Sequence, residues 1–131
     1  MVVVEDNPGD IYLIRQALEK RGIGDLTVLQ DGEAGYIFVT EVERGAASPP
    51  DLFIIDLSLP RRSGPELLAR IKTSSAFAHS RIIIASSSYS SRDRSVASRL
   101  GADRYFVKPS SFDQFMTIGA LAAELLDEGS S

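Results

Sequence analysis

The chain has 131 residues, enough for one domain that buries its own core. It is 44% hydrophobic and 24% charged, so it is neither disordered nor fibrous, and a net charge of −4 argues against a nucleic-acid-binding domain, whose phosphate contacts need clustered cations. It has no cysteine for disulfides or thiolate metal sites and no apolar run near the ~20 residues that span a membrane; no leader is expected, since "MVVV" meets acids at once, and the expectation is a cytoplasmic protein with no membrane or nucleic-acid partner.

Short β-branched runs alternate with longer amphipathic ones. Val2–Val4 is the first predicted strand. Asn7-Pro8 then signals a helix start, because Asn caps well and Pro suits the first helical position. Ile11, Ile14 and Leu18 follow at helical spacing, and Arg21-Gly22 closes the helix. Leu26–Leu29 is the second strand, Gly32–Arg44 the second helix, and Gly45–Pro50 a loop by composition. Leu52–Ile55 is apolar throughout, as a central parallel strand should be. "SGPELLARIK" restarts a helix, Ile82–Ala85 is the fourth strand, and "SSSYSSRD" leads into a helix through Val96 and Leu100 that ends at Gly101. Tyr105–Val107 is the fifth strand and Phe112–Leu126 a single last helix. Five strands and five helices in strict alternation predict a parallel sheet covered on both faces. The expected division is one domain over 1–127 and a tail over 128–131.

In such sheets ligands gather outside the carboxyl ends of the strands. Glu5 and Asp6 follow the first strand, Asp56 ends the third, Ser86–Ser88 follow the fourth, and Lys108-Pro109 follow the fifth. Three carboxylates on one rim repel, so either one keeps a proton or a cation joins them. Hard oxygen ligands without His or Cys favour Mg²⁺, with Mn²⁺ as a substitute. A carboxylate beside such an ion can attack phosphorus and give an acyl phosphate. Lys108 would supply a point charge for the transferred group, and the Ser86 hydroxyl could donate to one of its oxygens.

The stretches "VVVEDNPGD", "DLFIIDLSLPRRSG" and "GADRYFVKPSS", in that order, resemble the motifs of response-regulator receiver domains. The resemblance runs from Val2 to about Leu126 and implies a flavodoxin-like (βα)₅ doubly wound domain. It implies Mg²⁺-dependent phosphorylation of one aspartate by a phosphohistidine on a sensor histidine kinase or a histidine phosphotransfer domain. Asp56 stands at the phosphoacceptor position. Glu5 and Asp6 match the acidic metal-binding pair, and Ser58 the residue whose backbone carbonyl also meets the metal. Ser86 matches the switch hydroxyl, Tyr105 the aromatic that changes rotamer with it, and Lys108 the family's lysine, with a cis bond to Pro109. Ser58 and Ser88 hold the variable positions that tune hydrolysis of the acyl phosphate. Both are small and polar, which should leave an attacking water free. "VEDNPGD" and "DLSLPRRSG" further resemble the stand-alone regulators that accompany bacterial phytochromes. No output domain is expected after the last helix, and the protein is expected to signal by binding or to pass phosphate onward. It is expected to catalyse no reaction but its own aspartyl phosphorylation and dephosphorylation.

Three other readings compete. A flavin-type module would need a phosphate-cradling loop after the first strand, where "EDNPGD" is acidic. A haloacid-dehalogenase-like phosphatase usually has a second Asp two residues after the nucleophile, where Ser58 stands. A degenerate receiver would act only as a protein-interaction module. Two further features bear on partners. Arg81, Arg92, Arg94, Arg99 and Arg104, opposed locally only by Asp93 and Asp103, suggest a docking face on helix four, strand five and helix five, for a homodimer or an acidic partner. His79, the only histidine, lies in a predicted loop with no paired acid and is expected to face solvent.

Overall fold

Five helices begin on a side chain that accepts a backbone N–H, a pattern set by local sequence. In this computed structural model, which describes residues 1–129, the caps are Asn7, Asp31, Ser63, Ser90 and Ser111. The elements in chain order are β1 (Val2–Val4), α1 (Pro8–Glu19), β2 (Thr27–Leu29), α2 (Gly32–Glu43), β3 (Leu52–Asp56), α3 (Gly64–Lys72), β4 (Arg81–Ser86), α4 (Ser91–Arg99), β5 (Arg104–Val107), α5 (Phe112–Phe115) and α6 (Ile118–Gly129). A 3₁₀ turn, Ser75–Phe77, leads into β4, where the sequence predicts no element.

The sheet is parallel, in the order β2-β1-β3-β4-β5. This is the flavodoxin-like doubly wound order, with its switch point between β1 and β3. Alternate residues of β3 serve opposite layers, as strand geometry requires. Phe53 and Ile55 join one core with Val39 and Val42 of α2, Leu67, Leu68 and Ile71 of α3, and Ala97 of α4. Leu52 and Ile54 join the other with Ile14, Ala17 and Leu18 of α1 and with Phe115, Ile118, Ala122 and Leu125. β3 is buried along its whole length, so its last residue, Asp56, has a fixed place.

The expected single helix over 112–126 is two helices. Thr117 N and Gly119 N bond three residues back, to Gln114 O and Met116 O, and the Thr117 hydroxyl also donates to Gln114 O at 2.6 Å. This tightened turn interrupts the α-helical ladder. It also brings Gly119 against α1, where an added Cβ would stand 2.5 Å from Ala17 O. α6 then runs to Gly129, two residues into the expected tail; positions 130 and 131 lie outside the described residues. Among the described residues no peptide bond is cis, so the cis bond expected before Pro109 is absent. The trans form is the preferred one for an X–Pro bond, and Lys108 meets its partners with it.

Candidate functional site

β1, β3, β4 and β5 end side by side, and the cleft outside them is lined by Asp6, Asp10, Asp56, Ser58, Ser86 and Lys108 among others. Glu5 lies beneath, 1% exposed, because it continues the buried strand β1. Burial and neighbours dictate its contacts. Its Oε2 accepts from the backbone N–H of Asp6 at 3.1 Å and of Asn7 at 3.2 Å. Its Oε1 accepts from Lys108 Nζ at 2.6 Å.

Lys108 itself reaches the site from the end of β5, with its side chain 8% exposed. It donates to Asp10 Oδ2 at 2.9 Å and lies 3.4 Å from Asp56 Oδ2. Its backbone N–H donates to Ser86 O at 2.7 Å, which extends the β4–β5 pairing to the site. Asp56 is buried, and its Oδ1 accepts from Ser58 N–H at 3.1 Å. The chain then turns sharply. Gly64, the first residue of α3, comes so near the end of β3 that an added Cβ would stand 2.4 Å from Asp56 O. The loop between them is tied to α2: Gly32 N–H donates to Pro60 O at 3.0 Å, and Arg62 pairs with Glu33 and lies over the Tyr36 ring.

Two pKa shifts follow from this geometry. Burial is the main cause that pushes the Glu5 carboxyl up, to about 7; Asp56 adds to it and Lys108 opposes it. Burial pulls the Lys108 ammonium down, but its hydrogen bonds to Glu5 and Asp10 outweigh that, and it is held above the ordinary lysine value. Lys108 is therefore a fixed positive charge at any physiological pH.

Carboxylate oxygens of Glu5, Asp6 and Asp56 all lie within 4.8 Å of one another. Asp6 is exposed at the cleft mouth, while Glu5 and Asp56 are buried. Three hard oxygen donors with no nitrogen or sulfur ligand suit Mg²⁺ or Mn²⁺. Because Glu5 already serves Lys108, a metal would compete with the ammonium for it.

The structure thus brings together Glu5, Asp6, Asp56, Ser58, Ser86 and Lys108 as the sequence led us to expect. Ser86 is buried, and its Oγ accepts from Ser88 N–H at 3.1 Å. Tyr105 is half-buried; its hydroxyl donates to Ser88 O at 3.2 Å, and Arg94 lies over its ring. Tyr105 is thereby linked to Ser86 through one residue, Ser88. His79 is exposed, as expected.

Asp10 is the residue that sequence reasoning missed. It lies on α1 at the head of the stripe Asp10, Ile14, Leu18, one residue every four, and the last two of these are fully buried. A carboxylate opening a buried helical stripe points toward the sheet end rather than into solvent. That spacing was the available signal.

The arginine face is more paired than the local sequence suggested. Arg81 pairs with Asp103 at 3.4 Å, and Arg104 with Glu124 and Glu128 of α6. Arg92, Arg94 and Arg99 remain exposed on α4. Among the described residues, no helix is long and apolar enough to cross a membrane.

Comparison with known proteins converges on one family. The profile of the response regulator receiver domain matches residues 1–119. The probable methanogenesis regulatory protein FilR2 of Methanothrix harundinacea is 32% identical over 114 residues, 86% of this chain and 74% of FilR2. Response regulator Rcp1 of Synechocystis is 29% identical over 110 residues, 82% of this chain and 75% of Rcp1. The Mn(2+)-bound form of Rcp1 superposes with a TM-score of 0.85 and 26% identity, covering 96% of this chain and 93% of that one. The phosphorylated cyanobacterial phytochrome response regulator RcpA superposes with a TM-score of 0.87 and 28% identity, covering 99% of this chain and 94% of RcpA.

Proposed function

The chain belongs to the response regulator receiver domain family, a family of signalling proteins, and on that premise we propose that Asp56 accepts a phosphoryl group from a phosphohistidine on a sensor histidine kinase or a histidine phosphotransfer domain. One observation carries this reading. A buried aspartate at the end of the central strand shares its cleft with two further acids and with a buried lysine 3.4 Å away. Glu5, Asp6, Asp56 and the Ser58 carbonyl would hold Mg²⁺, or Mn²⁺ in its place. The bound ion would supply charge neutralisation and orientation for the incoming phosphoryl oxygens. An Asp56 oxygen attacks phosphorus in line, an O–P bond forms, the P–N bond breaks, and the donor imidazole leaves. The positive charge of Lys108 offsets the charge that gathers on the phosphoryl oxygens. The protein's catalysis extends only to gaining and losing this group.

The phosphoryl group then offers Ser86 and Lys108 contacts that exist in the modified state alone, which is what biases a two-state equilibrium. Ser86 would leave Ser88 N–H to donate to a phosphoryl oxygen. That releases Ser88 O, and Tyr105 with it, and alters the surface of α4, β5 and α6. Likeness to the cyanobacterial phytochrome response regulator RcpA supports a place in phytochrome signalling. We expect Mg²⁺ with a small acyl phosphate or phosphoramidate to add one phosphoryl group per chain, read by intact mass. Chelation of the metal should abolish the addition; equal labelling in chelator contradicts the metal's role.

The exposed arginines of α4 support a docking role for the α4–β5–α6 face, toward a second copy or an acidic partner. Reversing the charge of Arg94 and Arg99 together should weaken association, measured by sedimentation of the phosphorylated protein and by partner pull-down. Unchanged association and partner binding would remove this role.

A further inference from the structure

Lys108 has three N–H donors and no more. In this structure it hydrogen-bonds Glu5 at 2.6 Å and Asp10 at 2.9 Å and faces Asp56 at 3.4 Å. A phosphoryl group on Asp56 would bring new acceptor oxygens and more negative charge to the same ammonium. The third donor faces Asp56 and can meet one phosphoryl oxygen, so a second contact to the phosphoryl group forms only where Glu5 or Asp10 gives way. Glu5 is 1% exposed, so water cannot replace the ammonium there; a bound metal can take its oxygen, and Asp10 and the phosphoryl group then contend for the same ammonium. The Asp10 side chain is 24% exposed on the first turn of α1, so water can take over its oxygen.

We propose that Asp10 is a positioning residue that holds Lys108 in the unmodified protein and releases it when Asp56 carries a phosphoryl group. The inference rests on the assignment of Asp56 as phosphoacceptor. It adds a residue outside the acids that gather the metal, and it acts only through the lysine. Release would leave Asp10 an unpaired carboxylate beside Asn7 and Pro8, so the state of Asp56 would also reach the surface where α1 begins. Asp10 thus competes with the modified state for the one ammonium.

The test uses beryllofluoride as a stand-in for the phosphoryl group, at saturating Mg²⁺, with fluorine NMR reading the dissociation constant. The chains compared are the parent, Asp10→Asn and Asp10→Ala, each at low and at high salt. Both variants should bind beryllofluoride about fivefold or more tightly than the parent, because a competing charge-assisted contact is gone. The gain should persist at high salt, since the contact is partly buried and weakly screened. Unchanged or weaker binding by the variants overturns the proposal, even with a lowered melting temperature, since that pattern is a helix effect alone. A gain that disappears at high salt also overturns it, in favour of long-range charge. If the parent binds no beryllofluoride, the assignment of Asp56 fails first and this inference falls with it.

Discussion

Lys108→Met should lower the unfolding free energy of the metal-free protein by about 2 kcal/mol at pH 8 and by well under half of that at pH 5.5. The reason is Glu5. In the parent its carboxyl is raised from the ordinary 4.5 to about 7. At 1.36 kcal/mol per pH unit, that rise already costs about 3 kcal/mol wherever the folded protein must ionise it. The sign follows from proton binding: the folded state holds this proton more tightly than the unfolded one. The cost is absent below pH 4.5, grows as pH rises, and is complete above about pH 7. Without the ammonium, Glu5 keeps its proton to still higher pH, which adds to the cost of ionising it at pH 8. Asp10 and Asp56 lose their counter-charge as well, but both reach solvent more than Glu5 does and add less. At pH 5.5 Glu5 is protonated in both proteins, and the difference shrinks to the Asp10 and Asp56 contacts. Urea titrations at the two pH values check this. A loss that is equal at both would contradict the role of Glu5.

Mg²⁺ should bind about tenfold more tightly at pH 8 than at pH 6, because binding must displace a proton from Glu5. A carboxyl with a pKa of about 7 is mostly protonated at pH 6 and mostly ionised at pH 8. The groups that face it are Asp6, Asp56 and Lys108. The lysine stays charged throughout this range and contributes no slope. The metal also takes Glu5 from Lys108, so its affinity measures the contest between ion and ammonium. Isothermal titration at the two pH values reads it. A dissociation constant that does not change with pH would mean that Glu5 is already ionised, or that it is no ligand.

The fold was legible because its signals are local. Each cap precedes its helix by one residue, and β3 and β4 are apolar on both faces, as only central parallel strands are. The strand-end acids and Lys108 were legible for a related reason: a doubly wound sheet gathers its strand ends on one rim, however far apart they lie in the chain. The details that depend on distant contacts were not. The break at Thr117 is fixed by the approach of Gly119 to Ala17, on a helix 102 positions earlier in the chain. The tie between Pro60 O and Gly32 N–H joins a loop to the first residue of α2, and the two sequences say nothing of each other. Its place at a strand end gave Lys108 an expected role toward a transferred group, but its present acceptors could only be seen once α1, β1 and β3 stood together. Asp10 belongs to the same class of contact, although its place at the head of the Ile14–Leu18 stripe hinted at it.

One measurement reaches the proposed phosphoryl transfer to Asp56 directly. The parent and Asp56→Asn are incubated with Mg²⁺ and a small acyl phosphate, and the intact masses are compared. The parent should gain one phosphoryl group, which hydroxylamine removes as it does any acyl phosphate, and Asp56→Asn should gain none. If Asp56→Asn labels as well as the parent, Asp56 is not the acceptor. If the parent itself does not label, the domain is a receiver that works through protein contacts alone.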